Sequence, residues 1–281
     1  MKKIGFIDYY LSEWHANNYP AWIKNAASAS EGEEMELAYA WAELDVSPLD
    51  GVTTDEWCKK FGAERCHSIE ELCEKSDCIV ILAPSNPECH LGYAKVALPY
   101  GKRTYIDKTF APDYETAREI FDIAKKHGTP FFSTSALRYA TEIAENEGNT
   151  AYSFIAGGGS NADEYIIHTL EMTVKCFGIG AKALKVSREG KGYLTEIEYD
   201  GGRIARVFFA EGIPFTAILT NTDGDTVSRS IGSPFFDYLL SDIVRFFREG
   251  TLSFNPEETL EVMKLRGAFV RTKDTGETVT L

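Results

Sequence analysis

Positive charge is scarce in this chain. Its 281 residues include 29 lysines and arginines against 43 aspartates and glutamates, a formal net charge of -14, and a surface this acidic repels polyphosphate and anionic membranes. Nucleic acid is excluded as a partner on that ground. C-x-x-C pairs are also absent. The six cysteines, Cys58, Cys66, Cys73, Cys78, Cys89 and Cys176, are dispersed, which points to reduced thiols rather than disulfides or a zinc cluster. No apolar run is long enough to span a membrane, and the stretch Ile4 to Ile7 behind Met1-Lys2-Lys3 is too brief for a signal-peptide core. A cytoplasmic protein without membrane partners is expected. The 44% hydrophobic and 26% charged content belongs to a globular chain and not a disordered one, and at this length two cores are the default.

What is present alternates. Lys3 to Asp8 reads as a first buried strand and Glu36 to Glu43 as a second. Between them His15 to Ser30 has a helical pattern interrupted by Pro20. Ser68 followed by Glu71 resembles a capping box that opens a short helix. Cys78 to Ala83 is a continuous apolar run closed by Pro84, as expected of a strand covered on both faces. A helix at about Glu88 to Pro99, a strand at Arg103 to Ile106, a helix at Asp113 to His127 and a strand at Pro130 to Ser133 continue the alternation, which predicts a doubly wound parallel sheet.

After Tyr139 the texture changes. Ala151 to Ala156, Ala183 to Ser187, Leu194 to Asp200, Arg203 to Ala210 and Thr216 to Thr220 read as strands joined by turns such as Asp200-Gly-Gly, predicting a mainly antiparallel sheet. Helices at about Glu164 to Phe177, Phe235 to Glu249 and Asn255 to Thr272 should cover one of its faces. The expected organisation is an α/β protein: a Rossmann-like domain over residues 1–138, then an α+β domain over residues 139–281.

Several segments, in order, resemble the family named after glucose-fructose oxidoreductase, inositol dehydrogenase and the rhizopine-catabolism protein (Gfo/Idh/MocA). They are Ile79-Val-Ile-Leu-Ala-Pro84, then Asn86 and His90, then Gly101 to Thr109, whose Asp107-Lys108-Thr109 is similar to the family's E-K-P motif. Ala136-Leu-Arg138-Tyr139 resembles the crossing into the second domain. Gly157-Gly-Gly and Glu164-Tyr-Ile-Ile-His168 resemble the D-x-x-x-H region, and Asp237 to Leu281 resembles the closing helix, helix and strand. The resemblance implies an NAD- or NADP-dependent oxidoreductase acting on a sugar, polyol or related hydroxy compound, assembled as a homodimer or homotetramer. Pro84, Asn86, His90 and Lys108 are its implied cofactor contacts.

Chemistry can be assigned to those places. Lys108 ends an apolar strand, where an open α/β sheet binds its ligands; its ammonium could polarise a substrate oxygen and Asp107 could orient it. The bland alternative is a solvated charge pair. His168 lies four residues after Glu164 and three before Glu171, on one side of a helix, so a neutral imidazole could take a hydroxyl proton while a carboxylate holds its tautomer. An inert histidine at a helix-sheet interface is the alternative, and no metal site is expected.

The departure from the family is at the first turn. A dinucleotide site uses G-x-G-x-x-G after strand one so that backbone and helix N-terminus can approach the pyrophosphate, and here Asp8, Tyr10 and Glu13 occupy those places. Two like charges about 5 Å apart cost roughly 3 kcal/mol at an effective dielectric near 20. Trp14, His15, Asn17 and Asn18 should fill part of the volume a pyrophosphate would take, presenting Tyr9, Tyr10 and His15 to the cleft. Glu43 or Asp45 is a candidate ribose-binding acid, though the distance from Asp8 to Glu43 exceeds the usual spacing by about 15 residues. Three readings follow: a nicotinamide-dependent oxidoreductase, a lyase or isomerase of the same fold that uses the same Lys and His, and a non-catalytic binding subunit.

Overall fold

β1 (Lys2–Asp8) is buried from Ile4 to its end, because both faces of a parallel central strand are covered by helices. α1 (Trp14–Ser28), β2 (Met35–Ala42), α2 (Thr54–Phe61), β3 (Glu64–Arg65), α3 (Ile69–Lys75), β4 (Cys78–Ile81), α4 (His90–Ala97), β5 (Thr104–Ile106), α5 (Tyr114–His127) and β6 (Phe131–Phe132) follow. The six strands run parallel in the order β3-β2-β1-β4-β5-β6, which is the doubly wound arrangement. Ile4, Phe6, Ile7, Val80, Tyr105 and Ile106 are fully buried in it, each side chain of this size contributing about 1.5–3 kcal/mol.

This computed structural model describes residues 1–281. α1 differs from expectation in running through Pro20. Buried Ala16, Tyr19, Ile23 and Ala27 on one face outweigh the hydrogen bond that proline removes. α2 was not foreseen, although its signal stands in the sequence: Thr53 and Glu56 cap each other reciprocally, the full capping box. At α3 the arrangement is partial, since Ser68 caps Glu71 while the Glu71 carboxylate accepts from the N–H of His67 instead.

The second sheet is built from β7 (Thr150–Gly157), then, after α6 (Ala162–Phe177), β8 (Ala181–Glu189), β9 (Gly192–Tyr199), β10 (Ile204–Phe209), β11 (Thr216–Asn221) and β12 (Thr226–Ser230). α7 (Phe235–Glu249), α8 (Glu258–Thr272) and β13 (Thr278–Thr280) complete the chain. The strand order is β12-β11-β7-β10-β9-β8-β13, antiparallel throughout except where β10 pairs with β7. Ile155, Leu184, Ile197, Val207 and Leu219 line the buried face, as do Leu170 and Val174 of α6 and Leu265 and Phe269 of α8.

The chain divides into two units, Met1–Ser133 with Asp237–Phe254, and Thr134–Phe236 with Asn255–Leu281. α7 therefore belongs from Asp237 onward to the first unit, not to the helices over the second sheet as expected. There Phe246 packs edge-on against Phe132 at 5.0 Å, and the Phe247 carbonyl accepts from Arg103 Nη1 at 2.8 Å. Its apolar stripe required a sheet to pack on without specifying which.

Gly157-Gly158-Gly159 follows from close approach. A Cβ on Gly158 would overlap the Ala210 carbonyl oxygen, and one on Gly159 would strike the Tyr165 ring. Gly158→Ala is expected to cost about 1–3 kcal/mol by overpacking, read as a lowered thermal midpoint. Gly92→Ala, in α4 with open space around it, should leave the midpoint level or raise it slightly.

Candidate active site

The carboxyl ends of β1, β4 and β5 bring together most of the residues singled out in the first domain. Asp8 ends β1 and is buried; its Oδ1 accepts from the N–H groups of Tyr9 at 2.7 Å and Ala83 at 2.9 Å, whereas Oδ2 has no partner. Ala83 adopts φ +60°, the left-handed region uncommon for a residue with a side chain, and this turns its N–H toward Asp8. Burial, reinforced by the carboxylates of Glu13 and Asp107, pushes the Asp8 carboxyl well above its ordinary range.

Glu13 is the N-cap of α1. It is 6% exposed, and its two carboxylate oxygens accept from the backbone N–H groups of His15, at 2.7 Å, and Ala16. The same turn places the His15 ring against Tyr19, stacked at 5.2 Å, with Nδ1 paired to the Asp107 carboxylate. Asp107 also accepts from the Tyr105 hydroxyl at 3.0 Å. Burial raises its pKa, but His15, Lys108 and Tyr105 together hold it below the usual carboxylate value.

His15 is thus buried against the Asp107 carboxylate and the Tyr19 ring rather than presented to a ligand. Tyr9 and Tyr10 are half-buried and meet edge to face at 6.0 Å, while Trp14 is 52% exposed and leans on Trp22 at 5.4 Å. Because Asp107 is engaged by His15 and Tyr105, it does not orient Lys108 by a direct bond. The half-buried Lys108 makes one long contact, from Nζ to the Pro84 carbonyl at 3.5 Å.

The remaining candidates in this domain do structural work. Asn86 donates from its amide to Glu88 at 3.1 Å, and its N–H donates to the Ala83 carbonyl. His90 is fully buried with its ring nitrogens against the carbonyls of Phe110 and Leu82. Burial lowers its pKa, and the ring ties the loop after β4 to the one after β5 rather than facing a ligand. Glu43, just past β2, accepts from the Tyr93 hydroxyl at 2.7 Å.

In the second domain, His168 lies on α6 with Nδ1 2.7 Å from the Ser135 hydroxyl, and its ring meets Tyr165 and Phe215 edge to face. The two acids singled out on the same helix have partners of their own. Glu164 shares the helix cap with Asn161, at 2.9 and 3.2 Å, and Glu171 is buried, accepting from Arg138 Nε at 2.5 Å and the Thr134 hydroxyl at 2.8 Å. Ser135 was missed by sequence reasoning; its position beside Ala136-Leu-Arg138-Tyr139 was the only hint. No group of three or more His, Cys, Asp or Glu side chains is arranged to hold a metal ion, and no helix is long and apolar enough to cross a membrane.

Residues 46–135 match the model of a family described as an oxidoreductase family with an NAD-binding Rossmann fold, Gfo/Idh/MocA. Over that span, about a third of its length, the chain is similar to the Gfo/Idh/MocA family. Solved structures share its fold at low identity. GenD2 from gentamicin A biosynthesis, in complex with NAD, superposes with a TM-score of 0.77 at 14% identity, over 100% of this chain and 97% of that one. An NAD-binding oxidoreductase from Klebsiella pneumoniae gives 0.76 at 13%, over 99% and 98%. The dehydrogenase MviM from Clostridium difficile gives 0.72 at 15%, over 96% and 99%. No curated protein matches the chain.

In a standard Rossmann turn the pyrophosphate of a dinucleotide sits at the N-terminus of the first helix. Here the Glu13 carboxylate accepts from the first-turn N–H groups of α1 and Asp8 accepts from Ala83 N–H. The residues present do not fit a pyrophosphate held in that way.

Asp8 supplies a direct check on the electrostatics. A carboxyl whose folded pKa is raised costs nothing below its unfolded pKa of about 3.8; the cost grows with pH from there up to the folded value and is constant above it. Asp8→Asn keeps the acceptor for Tyr9 and Ala83. It is expected to raise the thermal midpoint by roughly 2–4 °C at pH 8, with the gain shrinking as the pH is lowered toward 5. A gain at pH 8 no larger than the gain below about pH 4 would show that Asp8 carries no charging cost.

Proposed function

We propose that the chain is an oxidoreductase acting on a sugar, polyol or related hydroxy compound, with Lys108 polarising the substrate oxygen and His168 taking the hydroxyl proton. The observation that carries this reading is Lys108. Its ammonium stands at the carboxyl end of β5 with the adjacent carboxylate turned away to His15, so its charge is not neutralised by a direct bond and is available to a developing alkoxide. In the second domain, the Ser135 hydroxyl at His168 Nδ1 gives Nε2 the proton-transfer role, because the partner of one ring nitrogen sets the task of the other. NAD or NADP is the dinucleotide to test, on the family description.

A second reading, a redox-neutral lyase or isomerase working through the same Lys108 and His168, is favoured by the Glu13 carboxylate on the α1 N-terminus. Proton abstraction next to a carbonyl needs a polariser and a base but no hydride acceptor. Turnover of a sugar and polyol panel, followed in parallel by NAD(P)H absorbance and by product chromatography, separates the two. The oxidoreductase reading expects NAD(P)H to accumulate with product. Lys108→Met and His168→Asn should each lower kcat/KM by about 10²–10⁴, and Ser135→Ala should lower it less. Product formed without added dinucleotide supports the second reading; undiminished turnover in both variants defeats the two together.

We further infer a homodimer or homotetramer. On one sheet face Tyr152, Phe154, Ile204, Phe208 and Ile218 are half-buried or exposed around the Arg206–Glu196 ion pair, aromatic and aliphatic side chains with an arginine among them, as at an interface. Light scattering is expected to give at least twice the chain mass. Phe154→Glu with Ile218→Glu should return it to the monomer value, whereas a wild-type monomer would remove the inference.

A further inference from the structure

The first turn of a helix offers unsatisfied N–H donors and the positive end of the helix dipole, a ready seat for an anion. In α1 that seat is taken by the chain itself. Glu13 folds back so that Oε2 accepts from His15 N–H at 2.7 Å and Oε1 from Ala16 N–H. Ser, Thr, Asp and Asn are the usual residues at this position because their short side chains reach these donors directly. A glutamate there brings a carboxylate deeper into the space that a phosphate uses.

The surroundings reinforce it. Asp8, 1% exposed, spends Oδ1 on the N–H groups of Tyr9 and Ala83 and has no partner for Oδ2. Asp107, 1% exposed, is committed to His15 and Tyr105. Three buried carboxylates share these strand ends with one imidazole and the Lys108 ammonium.

We propose that Glu13 is the specificity-determining residue of the strand ends in the first domain: its carboxylate occupies the anion seat of α1 and weakens the binding of diphosphate ligands. This holds whether or not the chain turns over a hydroxy compound, because it concerns binding within the first domain alone. A carboxylate about 5 Å from a phosphate, at an effective dielectric near 20, weakens binding by roughly a hundredfold.

The test uses ADP-ribose, which carries the pyrophosphate without the nicotinamide, titrated by calorimetry into the full chain and its variants. Glu13→Ser keeps an N-cap oxygen, so α1 should stay folded by circular dichroism while the carboxylate leaves the seat; Glu13→Gly supplies the residue of a standard turn; Glu13→Asp keeps the charge. The wild type and Glu13→Asp are expected to bind at about 0.1 mM or weaker, and Glu13→Ser and Glu13→Gly at least tenfold more tightly. Micromolar binding by the wild type overturns the proposal. So does a folded Glu13→Ser or Glu13→Gly chain that binds no more tightly than wild type, since Glu13 would then be only a helix cap. An inactive chain in the turnover assay leaves this comparison intact, so the failure of one reading is distinguishable from failure of the other.

Discussion

A buried carboxylate needs a partner, and in the first domain the pairing of Asp107 with His15 decides how the strand ends are arranged. Burying Asp107 without a hydrogen-bonding partner would cost several kcal/mol, and the two basic side chains beside it are His15 and Lys108. His15 takes the role because Glu13 fixes the first turn of α1 and the stack on Tyr19 fixes the ring. Lys108 is thereby left with a single long contact to a carbonyl. The charge that a substrate would meet follows from a pairing made on the far side of the carboxylate.

The layout of the fold could be read from periodicity, and the sites could be read only in part. Continuous apolar strands such as Cys78–Ile81 and alternating ones such as Ile204–Phe209 announce which sheet they join, since one is covered on both faces and the other on one. Pro20 misled because a local breaker rule competes with the burial of four side chains along the same helix. α7 misled because amphipathicity names a face and no partner.

At the site, sequence spacing correctly put Lys108 at a strand end and His168 on a helix, but it was silent on which neighbour each would engage. Glu171 stands three residues from His168 and yet answers to Arg138, which bridges onward to Glu258 at 2.7 Å. Buried arginine attracts carboxylate more strongly than a neutral imidazole does, so the acid nearest in sequence was the one most readily lost to another role. Ser135, thirty-three residues away, supplies the contact instead, and no period or motif links such a pair. His90 shows the converse: a residue marked by family pattern whose ring is spent on two backbone carbonyls.

The return of α7 to the first unit also matters during synthesis. Residues up to Ser133 contain all six strands of the parallel sheet, yet the unit is completed only by Asp237–Phe254, roughly 120 residues later. At about 5–20 residues per second, a ribosome takes roughly 6–24 s to deliver them. Through that interval the Phe132 ring waits for Phe246 and the Arg103 guanidinium for the Phe247 carbonyl. The nascent first domain spends those seconds with an apolar flank uncovered until its last helix arrives.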